Sequence, residues 1–137
     1  MTKQFEVYKC EICGNIVEVL EEAGGELYCC GEPMELKAPK SADEGLEKHV
    51  PVIETLEKSD CDSGKRRLIK VGDIAHPMEL KHYINWIEVI KPSKKIARKN
   101  LNPNQEPSME FKIEEDGEYT VRAYCNLHGL WETKYRA

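Results

Sequence analysis

Four cysteines crowd into the first 30 residues: Cys10 and Cys13, separated by two residues, and then the adjacent pair Cys29-Cys30 after a gap of 15. No other feature of the chain restricts its folding so tightly. Thiolates carried on two turns at either side of a hairpin converge as a tetrahedral site of four sulfurs, which suits zinc or iron. Gly14, directly after Cys13, permits the tight backbone that turns amide groups toward sulfur. A module this short buries too little surface to fold alone, so a bound metal supplies the missing free energy. A zinc ribbon repeats the Cys-x2-Cys knuckle, whereas neighbouring ligands splay the backbone and should distort the tetrahedron. Spacing alone leaves the metal open.

The remaining cysteines, Cys61 and Cys125, stand far apart, and His49, His76, His82 and His128 all lie beyond residue 48. Small, polar and proline residues from Ala38 to Asp43 interrupt the apolar pattern and mark a joint. The expected organisation is a module of residues 1–38 followed by a domain of residues 39–137. Six cysteines in a chain whose first residues form no apolar signal segment point to metal or redox chemistry rather than a disulfide framework. The expected setting is therefore cytoplasmic, and no apolar run is long enough to span a membrane.

Charge excludes further classes. With 20 basic and 25 acidic residues the chain carries −5, a poor match to nucleic acid. The run from Lys91 to Lys99 is basic but has no interleaved aromatic, so it reads as a solvated loop and edge strand. Residues 1–40 hold 4 basic and 8 acidic groups, whereas residues 41–137 hold 16 and 17. The second part therefore repels an anion far less than the first.

The secondary structure expected is strand nearly throughout. Residues 5–9 and 16–20 flank the Cys-x-x-Cys-Gly turn, and residues 52–56, 67–71, 83–90, 109–113, 119–124 and 131–135 are β-rich. Residues 95–101 give a weaker strand signal, and Asp116-Gly117 reads as a hairpin turn. No window holds a helical apolar period over three turns, so the fold class is all-β, with an antiparallel sandwich in the larger domain. Trp86 shares a face with Ile84 in this reading and, with Trp131, is assigned to the core.

A second metal site is expected from the histidines. His76 and His82 bracket a short turn, His128 follows Cys125 by three residues, and His49 precedes a strand. Four imidazoles and one thiolate leave one octahedral position for a small molecule. Nitrogen donors do not fix the metal, but a thiolate pushes electron density toward whatever binds opposite it. That favours one-electron chemistry on a dioxygen-derived ligand, and hence iron, over hydrolysis.

Taken together, Cys10-x2-Cys13 with Cys29-Cys30, Glu47-Lys48-His49-Val50-Pro51, His76-Pro77-Met78-Glu79-x2-His82-Tyr83-Ile84-x-Trp86-Ile87 and Cys125-Asn126-Leu127-His128-Gly129-Leu130-Trp131 resemble the two-iron superoxide reductases, or desulfoferrodoxins. The likeness runs over essentially the whole chain. It implies a desulforedoxin-like Fe(Cys)4 module ahead of an immunoglobulin-like sandwich. The sandwich would carry an Fe(His)4Cys centre with equatorial His49, His76, His82 and His128 and axial Cys125. It further implies reduction of superoxide to hydrogen peroxide, a rubredoxin-type electron donor and a homodimer.

Two neighbours of His49 acquire roles in that reading. Lys48 guides the anion and orients a proton-donating water, and Glu47 is a candidate sixth ligand for ferric iron. Cys61, in an inter-strand loop, matches neither motif and is expected as a free thiol. The competing reading is a zinc-ribbon binding protein without catalysis, which leaves the four histidines without a task. Superoxide dismutase is a third possibility, distinguished by dioxygen release and by needing no outside electron donor.

Overall fold

Short alternating stretches with frequent turn residues form strands, and the computed structural model contains no helix among the residues it describes, 1–41, 49–55, 66–72 and 76–137. The chain divides into two units, Met1–Ala38 and Pro39–Ala137.

In the smaller unit, β1 (Val7–Lys9) pairs antiparallel with β2 (Ile16–Glu18) and with β5 (Glu35–Leu36). β3 (Tyr28–Cys29) and β4 (Glu32–Pro33) form a separate two-residue ladder. Strands of two or three residues bury little. Val7, Cys10 and Val19 are buried here, whereas Ile12, Leu20 and Tyr28 are exposed.

The larger unit is an antiparallel sandwich of the immunoglobulin-like kind. One sheet runs β10-β7-β6 and the other β12-β11-β8-β9. The strands are β6 (Pro51–Thr55), β7 (Arg66–Val71), β8 (Ile84–Ile90), β9 (Ile96–Asn100), β10 (Ser108–Lys112), β11 (Glu118–Cys125) and β12 (Gly129–Arg136). Alternate residues face inward: Ile69, Val71, Met109 and Phe111 from one sheet meet Ile87, Val89, Val121 and Ala123 from the other. On the opposite face of the larger sheet, Arg122 lies across from Glu88 in register. Its Nε and Nη2 donate to Glu88 Oε1 at 2.9 and 2.6 Å. Such a pair satisfies two groups that would be costly to bury alone. The basic run ends in β9, an edge strand as expected.

Two expectations fail here. Asp116-Gly117 does not close a hairpin, because β10 and β11 belong to different sheets. The segment is instead a corner between sheets, held by Tyr119. The Tyr119 hydroxyl donates to the Glu115 carbonyl at 2.8 Å and accepts from the amides of Glu114 and Glu115 at 3.2 Å. This is the tyrosine corner of such sandwiches. Nor is Trp86 in the core. Cys125 pairs with Ile84 but Tyr124 with Trp86, so β8 carries an extra residue at Asn85. That bulge turns Ile84 to the core face with Ile87 and leaves Trp86 on the other, stacked on Tyr124 at 5.7 Å.

Tyr119→Phe should destabilise the larger unit by about 1–3 kcal/mol, because it strands two amides and a carbonyl without changing the ring. A urea unfolding curve with an unchanged slope and a lowered midpoint is the expected record.

Candidate metal centres

Turn geometry assembles the four-sulfur cluster. The Cys10–Cys13 turn follows β1, and the Cys13 amide donates to Cys10 Sγ at 3.4 Å. The adjacent cysteines are accommodated by the β3–β4 turn, whose two central residues, Cys30 and Gly31, have φ of 55° and 78°. Positive φ at both places is the signature of the type I′ hairpin turn. It swings Cys30 Sγ back to 3.9 Å from Cys29 Sγ. Cys13 Sγ lies 3.5 Å from Cys29 Sγ, and Asn15 Nδ2 donates to that sulfur at 3.6 Å. A tetrahedral ion with sulfur at ~2.3 Å requires sulfurs ~3.8 Å apart, and the observed separations bracket that value. The neighbouring cysteines therefore reach the separation that a tetrahedral ion requires of them.

The protons tell the same story. The Cys13 amide, ahead of other donors, lowers the Cys10 thiol to about 7. The thiols of Cys13, Cys10 and Cys29 raise Cys30 to about 12. One sulfur ionises readily and another resists, so the full thiolate set needs a cation among its members.

The second cluster sits at one end of the sandwich. His49 precedes β6, His76 follows β7, and His82 closes a turn ahead of β8 in which Glu79 and His82 exchange backbone hydrogen bonds at 2.9 and 3.0 Å. Cys125 ends β11, and His128 occupies the three-residue loop that leads into β12. Gly129, at φ 88°, takes the left-handed conformation that this loop requires.

Ligand atoms of His49, His82, Cys125 and His128 all lie within 4.8 Å of one another. His49 Nε2 and His128 Nδ1 are 3.0 Å apart, and Cys125 Sγ is 3.7 Å from the same His128 nitrogen. Two nitrogens bound at ~2.1 Å on perpendicular axes stand ~3.0 Å apart. His76 stands beside this group, its ring 4.8 Å from His49 and 4.7 Å from His82. Its Nδ1 lies 2.7 Å from the Pro77 carbonyl, which fixes that nitrogen as the protonated one. Its Nε2 is left as a buried acceptor without a hydrogen-bond partner among the described residues. A buried imidazole nitrogen left without a partner beside the rings of His49 and His82 is what a metal ligand looks like before the metal is added.

Burial, joined by the charges of His49, His82 and His128, lowers His76 to about 4 and keeps it in the neutral form that binds metals. Burial raises the Cys125 thiol, while the amides of Leu127 and His128 and the charge of Lys40 act in the opposite direction. Cys125, His49 and His76 are buried and His128 is exposed, so the cluster is walled on one side and reaches solvent on the other.

Asn126 joins the two ligand-bearing turns. Its amide donates to the Tyr83 carbonyl at 3.1 Å, its Oδ1 accepts from the Tyr83 amide at 2.9 Å, and its Nδ2 donates to the Lys81 carbonyl at 3.1 Å. Trp131 is buried as expected, but its partner is the site: it stacks on the His49 ring at 4.8 Å and 16°. Glu47, Lys48 and Cys61 lie outside the described residues.

Profiles of two domains match the chain: desulfoferrodoxin over residues 41–134 and the desulfoferrodoxin N-terminal domain over residues 2–36. A desulfoferrodoxin homolog of Archaeoglobus fulgidus is 51% identical over 133 residues, covering 97% of this chain and 99% of that protein. A superoxide reductase of Pyrococcus abyssi is 33% identical over 108 residues, covering 69% of this chain and 91% of the other. Among solved structures, the superoxide reductase from Treponema pallidum superposes with a TM-score of 0.71 at 26% identity, covering 96% of this chain and 99% of that one.

Asn126→Ala should weaken metal retention at the second cluster by about 10- to 100-fold while leaving the four-sulfur cluster untouched. Timed chelator challenge with separate absorbance signals for the two sites measures this. Cys13→Ser should abolish metal binding in Met1–Ala38 and, with it, protection of that unit from protease.

Proposed function

The chain belongs to the desulfoferrodoxin family, and from that premise we propose that it is a superoxide reductase acting at the histidine–cysteine cluster. The two donor sets are those of two non-haem iron sites, one of four cysteines and one of four histidines with a cysteine. The observation that carries the reading is the convergence of His49 Nε2, His128 Nδ1 and the buried Cys125 Sγ, with neutral His76 alongside, at a place that reaches solvent. Zinc would be content with four donors. A fifth, and a thiolate among them, suits a metal that changes oxidation state.

The balance is one superoxide, one electron and two protons giving one hydrogen peroxide, with no dioxygen released. The electron would come from ferrous iron held by these donors. The residues do the rest. His49, His76, His82 and His128 would hold the metal, and Cys125 would supply a thiolate whose electron release favours giving up that electron. The exposed side at His128 admits the anion and the water that carries protons. Lys48, next in sequence to His49, draws the anion in and orients that water. Glu47, with a hard carboxylate oxygen, would serve as the sixth ligand of the oxidised iron.

The four-sulfur site, in this reading, is a second one-electron centre. A small rubredoxin-type protein re-reduces the chain, and the exposed side chains of Ile12 and Tyr28 beside the cysteine turns offer it an apolar landing. Free cysteines throughout the described residues accord with a reducing, cytoplasmic setting. A homodimer completes the proposed assembly.

Yields separate the readings. With reductant present, the iron-loaded chain should form one peroxide per superoxide and no dioxygen; a dismutase would form both products without reductant, and a binding module neither. Lys48→Ile should lower the second-order rate constant by about tenfold or more at low ionic strength, with the effect fading as salt is added. Stopped-flow or pulse-radiolysis decay of superoxide gives the number.

A further inference from the structure

Lys40 belongs to none of the motifs and none of the ligand sets, yet its backbone and its side chain both engage the residues that build the histidine–cysteine cluster. Its amide donates to the Leu130 carbonyl at 2.9 Å, and its carbonyl accepts from the Glu132 amide at 2.8 Å, which places it beside Trp131 in a short parallel bridge. This ladder anchors Lys40 at the root of the loop that carries Cys125 and His128. The side chain then reaches over that loop. Its Nζ donates to the His128 carbonyl at 3.0 Å and lies 4.9 Å from the centre of the Trp131 ring.

The same ring is stacked on His49. One ammonium therefore touches the main chain of one cluster histidine and, through a single indole, the ring of another. Two consequences follow from elementary electrostatics. A cation bound to a carbonyl fixes the peptide that sets the direction of the His128 ring. A fixed positive charge whose field is felt at the Cys125 thiol also disfavours the more highly charged of two oxidation states at the cluster.

We propose that Lys40 is a positioning residue for the second iron site, pinning the His128 loop and raising the reduction potential of the metal so that the ferrous state is favoured. The proposal rests on the reading of that cluster as a superoxide-reducing iron centre, and it is separate from the role given to Lys48. Lys48 acts on the arriving anion, whereas Lys40 acts on the peptide and charge environment behind a ligand.

The test uses the full iron-loaded chain with Lys40→Gln and Lys40→Arg. Glutamine keeps a donor for the His128 carbonyl and removes the charge; arginine keeps both. In a redox titration, Lys40→Gln should lower the ferrous-to-ferric ratio at the second site at a fixed potential by about tenfold, ~59 mV for a one-electron couple. The thiolate-to-iron absorption should move to higher energy, the change should shrink at high salt, and the four-sulfur site should keep its potential. Lys40→Arg should restore both the potential and the absorption. An unchanged potential in Lys40→Gln, or loss of the second iron from it, would overturn the electrostatic role. The measurement uses no superoxide. If the unaltered chain yields no peroxide while Lys40→Gln still shifts the potential, the functional reading falls and the assignment of Lys40 stands.

Discussion

Crowding four imidazoles and a thiolate at one end of a sandwich is unfavourable until a cation joins them, and much of the larger unit is arranged to make that crowding possible. Burial holds His76 neutral, so it adds no charge to the cluster. Its Nδ1–H donates to the Pro77 carbonyl, which leaves Nε2 as the buried, unprotonated nitrogen. Cys125 is walled by the core, in register with Ile84. Each of these features costs stability in a metal-free protein and becomes an asset once a divalent ion is bound. The sandwich core meets that cost, because interlocked inward faces from two sheets resist the small movements that would let the donors separate.

Donors are legible in the sequence where the spacing is local. Cys10-x2-Cys13, Cys29-Cys30 and Cys125-x2-His128 place donors on single turns, so spacing alone brings them together. Strands with strict alternation, such as β11, were legible for the same reason. What sequence could not show depends on pairings made across the fold. The extra residue in β8 is invisible until Cys125 and Tyr124 are seen opposite Ile84 and Trp86, and it reverses the face that Trp86 occupies. Asp116-Gly117 has hairpin composition, but composition does not say whether flanking strands share a sheet. Tyr119 decides that, by holding the corner from 4 residues away.

The residues that support the ligands leave the least trace in the sequence. Asn126 sat in a recognised motif, yet its role appears only when the turn before β8 lies beside it. Lys40 is 88 residues from the carbonyl it holds, and Trp131 carried no sign that its partner would be an imidazole rather than another core side chain. Long-range hydrogen bonds and ring contacts have no spacing rule, so they follow from the fold and not from the pattern.

The two clusters solve one problem in opposite ways. In Met1–Ala38 the strands are two or three residues long and bury little, so a bound metal would supply most of what holds the turns that carry Cys30 and Gly31 at positive φ. In Pro39–Ala137 the core exists without the metal, and the metal uses an end of it. A site that depends on its ion for structure must keep it bound through every oxidation state, which favours a closed shell of four sulfurs and simple electron transfer. A site built on an independent core is freer: one flank can remain accessible, ligands can be orphaned, and a small molecule can come and go without loosening the scaffold. That division is the physical reason to propose the histidine–cysteine cluster, with solvent at His128 and a sandwich core behind it, as the place of substrate chemistry.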